Sequence, residues 1–326
     1  MYLEIKFFFN IFFLIVKILG VFMKITVLSG GTGTPKLLQG LKEIVNPEDL
    51  SIIVNTVENN YFSGVYISGD IDVVMYTLID MIDEEFWYGI KGDTYLTNNT
   101  LEKLGCPEKL RIGDKDRAIM MQKTKLLKEG YKLSEIVDLQ RKKLGIKSKI
   151  MPMSDVDSDI YIDTDIGKLD FHDFLIDKQC SPHVNNVVYS IVPPAPDVIS
   201  TIKNSDMIII GPSNPITSIM PIVSIDGVKD ALKDKYVVAV SPMVGDGAVS
   251  GPAGKFMNAL GYEASCIGVA KLYSDFVDKL IIDYQDKDLE DEVKKIIGDV
   301  GTCDTMMNSL NIKKNLAEKV LDSYKI

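Results

Sequence analysis

Gly30-Gly31-Thr32-Gly33-Thr34 closes the short apolar run Lys24–Ser29 (KITVLS) and leads through Pro35-Lys36 into a helical pattern. Three glycines and two hydroxyls in five residues leave backbone N–H groups open, and a helix start adds positive dipole. Such a loop suits phosphate; the plain alternative is a tight strand-to-helix turn. It is not the dinucleotide fingerprint. From Gly31 the pattern is G-x-G-x-x-K, and the second apolar run ends in Asn55 where a ribose-binding acid would stand. Nor is Gly251-Pro252-Ala253-Gly254-Lys255-Phe256 a Walker loop, since it lacks the spacing and the Ser or Thr. Ser68-Gly69-Asp70-Ile71-Asp72 precedes an apolar helix. Two carboxylates there can cap the helix. They can also hold Mg²⁺ beside phosphate oxygens. Spacing favours capping and leaves both open. Arg111-Ile112-Gly113-Asp114-Lys115-Asp116-Arg117 offers three cations to a phosphate, or forms a charged surface turn. His172 and His183 have no Ser or Cys motif beside them, so no triad is indicated.

These residues need elements to hold them. Lys24–Ser29, the helical pattern Lys36–Val45 and the run Leu50–Asn55 make a βαβ unit, which implies a parallel sheet covered by helices. Further strands are expected at Met207–Ile210, Tyr236–Val240 and Ala264–Val269, with a helix over Gly227–Lys233. Asp72 to Tyr131 reads mainly helical, Leu133–Leu144 is another helix, and Ile150–Asp173 resembles a polar hairpin. Pro193-Pro194-Ala195-Pro196 is a break. The fold expected is therefore α/β: a Rossmann-like, mostly parallel sheet with helices on both faces. Its core would come from about 23–75 and 195–326, with 76–194 a mainly helical inserted cap. Loops Asn55–Asn60, Gly211–Ser218, Ser241–Asp246 and Ser250–Lys255 would then join the glycine loop along one sheet edge, room enough for a nucleotide-sized ligand.

The chain has 326 residues, 46% hydrophobic and 25% charged, with net charge −10. These values are ordinary for a globular chain and exclude disorder, collagen and coiled coil. The acidic balance argues against a general nucleic-acid binder. Four scattered cysteines without a C-x-x-C give neither a zinc site nor a disulfide framework, and a reducing, cytoplasmic setting is expected. Residues 1–22 differ: six of the twelve Phe lie there. Lys17 breaks the apolar run, and Phe7 to Val16 is shorter than the ~20 residues that span a bilayer. The segment reads as an extension upstream of a true start at Met23, and no membrane partner is expected.

In this order the stretches SGGTGTPKLLQGLKEI, NTVENNYFSG, DIDVVMYTL, RIGDKDRA, MPMSD, GPSNPITSIMPI, VVAVSPMVG and VSGPAGKFM resemble the 2-phospho-L-lactate transferase (CofD-like) family from Ser29 to about Met257. The resemblance implies an enzyme of archaeal-type coenzyme F-420 biosynthesis. Such an enzyme moves the phospholactyl group of lactyl-2-diphospho-5′-guanosine to the deazaflavin 7,8-didemethyl-8-hydroxy-5-deazariboflavin (Fo). It gives coenzyme F-420-0 and GMP, requires Mg²⁺ and works as a homodimer. It further implies that Asp72 and Arg111 bind the deazaflavin. Gly30, Gly31, Thr32, Gly33, Thr34, Lys36, Ser213 and Asn214 would hold the guanosine diphosphate part. Asp70 and Asp72 would be the catalytic and metal-binding acids. Gly69 departs from the family, which usually has proline there; this loosens the turn but keeps both carboxylates. The rival reading is a nucleotide-sugar-binding regulator from a related branch with the same fold.

Overall fold

Runs such as ITVLS, LSIIV, MIII and YVVAV are apolar at nearly every position, which suits a strand covered on both faces. The computed structural model, which describes residues 23–324 apart from 246 and 250, packs them that way. The upstream extension expected at 1–22 lies outside the described residues. Seven strands form one sheet: β1 (Ile25–Ser29), β2 (Leu50–Val54), β3 (Lys149–Pro152), β4 (Met207–Ile210), β5 (Tyr236–Val240), β6 (Lys279–Asp283) and β7 (Asp299–Cys303). Their order is β7-β6-β5-β4-β1-β2-β3, and every pairing is parallel.

Alternate residues feed two cores. Leu28, Ile53, Ile208, Ile210, Val237 and Ala239 face one side. Ile25, Val27, Ile52, Val54, Ile209 and Val238 face the other. The second side is covered by α1 (Gly33–Leu41), α2 (Gly69–Leu78) and, further along the chain, Leu133–Lys143 and Leu310–Leu321. Leu37, Leu38 and Leu41 of α1 are fully buried there. Truncating one such leucine to alanine typically costs about 2–5 kcal/mol. α3 (Asp114–Lys128) packs on Val65–Ile67, which pairs with Asn60–Phe62, and meets α2 through side-chain hydrogen bonds.

Two expectations change. Ala264–Val269 is not a strand; α4 (Cys266–Tyr273) begins there. Ser265 accepts the Gly268 N–H at 3.3 Å and starts the helix, whose Cys266, Val269, Ala270 and Tyr273 are buried at helical spacing. The last strands are instead β6 and β7. Within 76–194, expected as one insertion, β3 joins the sheet edge by pairing with β2. Beyond β3, Ile160–Thr164, Gly167–Asp170 and Val184–Tyr189 form a separate three-stranded antiparallel sheet, which accounts for the hairpin expected there.

Candidate active site

The sheet order reverses between β1 and β4, where open α/β sheets bind ligands beyond the strands' carboxyl ends. Register puts those ends level: Leu28 lies beside Ile53 on one side and Ile210 on the other. The glycine loop after β1, the Asn55 loop after β2 and the Gly211 loop after β4 therefore emerge side by side.

Side chains lock them together. Ser213 Oγ accepts from the N–H groups of Gly30 (3.1 Å) and Thr34 (3.3 Å) and lies 2.7 Å from Thr34 Oγ1. Gly33 passes so close to the Pro212 carbonyl that a Cβ would overlap it. Asn214 accepts from Ile216 N–H (3.0 Å) and Thr217 N–H (3.3 Å), opening a single π-helical turn, Pro215–Ile219. Ser213 and the Asn214 carboxamide oxygen, expected to grip the ligand, are thus engaged in shaping its loops. Thr32 stands at the N-cap of α1 without a side-chain cap bond; since the Thr34 N–H goes to Ser213 and Pro35 has none, the amides offered to an anion are those of the glycine loop just before them.

Asp70 reaches this loop. Its Oδ1 faces Gly31 so closely that a Cβ there would overlap it, and its Oδ2 accepts from Asn55 Nδ2 at 3.0 Å. Asn55 Oδ1 in turn accepts the Val57 N–H at 3.3 Å. Burial pushes the Asp70 carboxyl up to about 6, against the Asn55 hydrogen bond. Glu58 is held well above the ordinary range, first by burial and then by the charge of Asp70, while a Thr217 hydrogen bond opposes both. Two carboxylates close enough for the Asp70 charge to raise Glu58, beside the amides of the glycine loop, suit a divalent cation with diphosphate oxygens. Among the described residues no group of three or more His, Cys, Asp or Glu gathers as a metal cage, so phosphate and water would complete the shell.

Asp72 lies elsewhere. It is 3% exposed, and both its oxygens accept from Lys123 Nζ, at 2.7 and 2.9 Å; Lys123 on α3 is 0% exposed. Burial lifts the Asp72 carboxyl and Lys123 opposes the lift. One turn on, Tyr76 donates to Asp116 Oδ1 at 2.7 Å. Burial, then the Asp72 charge, pushes Asp116 up to about 7. The expected acid pair is therefore divided: Asp70 joins the glycine loop, and Asp72 joins α3. Arg111 is exposed, its guanidinium 4.0 Å from the Tyr95 ring centroid. Lys36 turns from the loop, its ammonium 5.0 Å from the Trp87 centroid beside Lys313, the same distance away. Lys255 lines a surface cleft of about 510 Å³ with Ser181, His183 and Asn185 and donates to the Cys180 carbonyl.

Glu58 was legible only as part of a polar loop, and Lys123 not at all. The one signal for Lys123 was its place seven residues, two turns, after Asp116 on the same helix face.

Residues 25–317 match the family described as 2-phospho-L-lactate transferase CofD. The chain belongs to this family. It is 54% identical over 297 residues to the 2-phospho-L-lactate transferase of Methanothermobacter thermautotrophicus, covering 91% of this chain and 97% of that one. It is 51% identical over 306 residues to the enzyme of that name from Methanocaldococcus jannaschii, with the same coverage. As a member of the CofD family it is a transferase. A Bacillus halodurans crystal structure, described as a member of the upf0052 family, superposes with TM-score 0.58 at 17% identity, over 91% of this chain and 98% of its own. That likeness shows the shared α/β fold. Among the described residues no helix is long and apolar enough to cross a membrane.

Proposed function

We propose that this CofD-family transferase moves the 2-phospholactyl group of lactyl-2-diphospho-5′-guanosine to a hydroxyl of Fo, giving coenzyme F-420-0 and GMP. The observation that carries the reading is Asp70 seated against Gly31 at the switch point, with Glu58 beside it, in a chain 54% identical to a protein of that name. The acceptor oxygen bonds to the phosphorus that carries the lactyl group. The bond from that phosphorus to the GMP oxygen breaks, and the hydroxyl proton is released. Glycine-loop amides at the N-terminal end of α1 would hold the diphosphate in line, so positioning and charge stabilisation supply most of the rate. Asp70 and Glu58 would hold Mg²⁺ against the diphosphate. When bound, it neutralises the charge gathering on the leaving phosphate. Arg111, held on Tyr95, would meet the deazaflavin. Asp72 would serve through its place on α2 rather than as a metal ligand.

Incubating the full chain with Fo, the donor and Mg²⁺, with products read by mass spectrometry, tests this. Coenzyme F-420-0 and GMP in equal amounts are expected. Tight nucleotide-sugar binding with no transfer would favour the regulator instead.

A further inference from the structure

Residues 70 and 72 lie two apart on α2, about 200° around the helix. One of them can face the sheet edge only if the other faces away. Asp72 faces α3 and is held there by both oxygens on Lys123. Tyr76, one turn along α2, bonds to Asp116, two turns before Lys123 on α3. The helices therefore run antiparallel past each other with two polar ties, both buried. Two separated ties fix both the rotation of α2 about its axis and its slide along that axis. Packing alone needs neither: a buried ion pair adds little over apolar side chains of equal volume, whereas its bidentate geometry sets register.

The first turn of α2 needs such a setting. Ser68 at the N-cap makes no side-chain cap bond, and its hydroxyl is buried without a partner. Gly69 follows, with no atom within 4 Å of where its Cβ would be. The first turn of α2 thus has no side-chain cap of its own: the Asn55 amide holds the Asp70 carboxylate from the front at 3.0 Å, and the ties behind set the rotation of the helix that carries it.

We infer that Lys123 is a positioning residue: by clamping Asp72 it turns α2 so that Asp70 meets the glycine loop and the metal-bound diphosphate. This deepens the reading above and rests on Asp70 acting at that diphosphate. Lys123 touches no substrate and acts through Asp72.

The test is GDP affinity by calorimetry with and without Mg²⁺, in wild type, Asp70→Asn, Lys123→Met, Lys123→Arg and the paired change Asp72→Asn/Lys123→Met, with melting temperature on each. In Asp70→Asn the gain in affinity from Mg²⁺ should vanish; if it persists, the functional reading itself fails. In Lys123→Met that gain should fall by about tenfold or more while metal-free GDP affinity stays near wild type, and turnover should drop roughly 10²-fold, as for a misplaced group. Lys123→Arg should restore most of both. If Lys123→Met does not fold, the paired change removes the uncompensated charge and reads the same quantity. A full Mg²⁺ gain in a folded variant without the pair, alongside its loss in Asp70→Asn, would overturn the inference and leave the pair as packing alone.

Discussion

Asp70, Glu58 and Gly31 carry the chemistry argued here, and each makes a separate demand. Gly31 has no room for a side chain because Asp70 fills the space. Gly31→Val should therefore displace Asp70 and close the loop to phosphate. GDP affinity should fall by about tenfold or more, the worth of one or two good hydrogen bonds, while binding of Fo stays near wild type. Equal GDP affinity in a titration would remove the loop from the site. Asp70→Asn keeps the shape but removes a charge beside Glu58, so the Glu58 carboxyl should move down towards the ordinary range. Carboxyl titration by NMR should show that downward shift; an unmoved Glu58 would mean the two acids do not sense each other. At this scale the sequence singled out Gly31, Asp70 and Ser213, whose glycine, carboxylate and hydroxyl patterns are local, and the fold brings all three to one loop. It could not show that Asp70 and Asp72 point apart, since that depends on which helix face meets α3.

On α2, Gly69 is the first helical residue, where proline is well suited because no N–H is needed. It is exposed, and its Cβ position is open. Gly69→Pro should stabilise the chain by about 0.4–1 kcal/mol through a stiffer unfolded state. The denaturant midpoint should rise with turnover kept; a fall would mean that the entry turn needs the freedom of glycine. Most elements were legible because long periodic runs, such as LSEIVDLQRKK, and β-branched runs, such as YVVAV, each have one solution. ASCIGV was ambiguous, since six apolar or small residues fit a strand or a buried helix, and the Ser265 cap decided it. KIMP and DVGTC are short, and each opens on a charged residue. They become strands because the parallel sheet offers them an edge, a tertiary effect that propensity does not carry.

Across the whole molecule the net charge is −10, and the buried Asp116 makes a contribution to stability that falls as pH rises. Asp116 holds its proton to about 7, so the folded chain binds it more tightly than the unfolded one. That contribution is complete below the ordinary carboxylate value and is lost as pH climbs through about 7. Asp116→Asn keeps an acceptor for Tyr76 and removes the titration. The melting temperature of the wild type minus that of the variant should therefore fall between about pH 5 and 8; a constant difference would show that Asp116 is already ionised. The architecture, a parallel sheet with loops gathered at its switch point, was readable from strand and loop order, whereas Lys123 required the fold. The role of Asp70 at the donor diphosphate is tested most directly by the rate of GMP release from lactyl-2-diphospho-5′-guanosine in the presence of Fo and Mg²⁺, measured on wild type and Asp70→Asn at matched melting temperature. A fall of about 10²-fold or more in Asp70→Asn, with equimolar coenzyme F-420-0 in the wild type, is the expected result. GMP release from Asp70→Asn at the wild-type rate would contradict it.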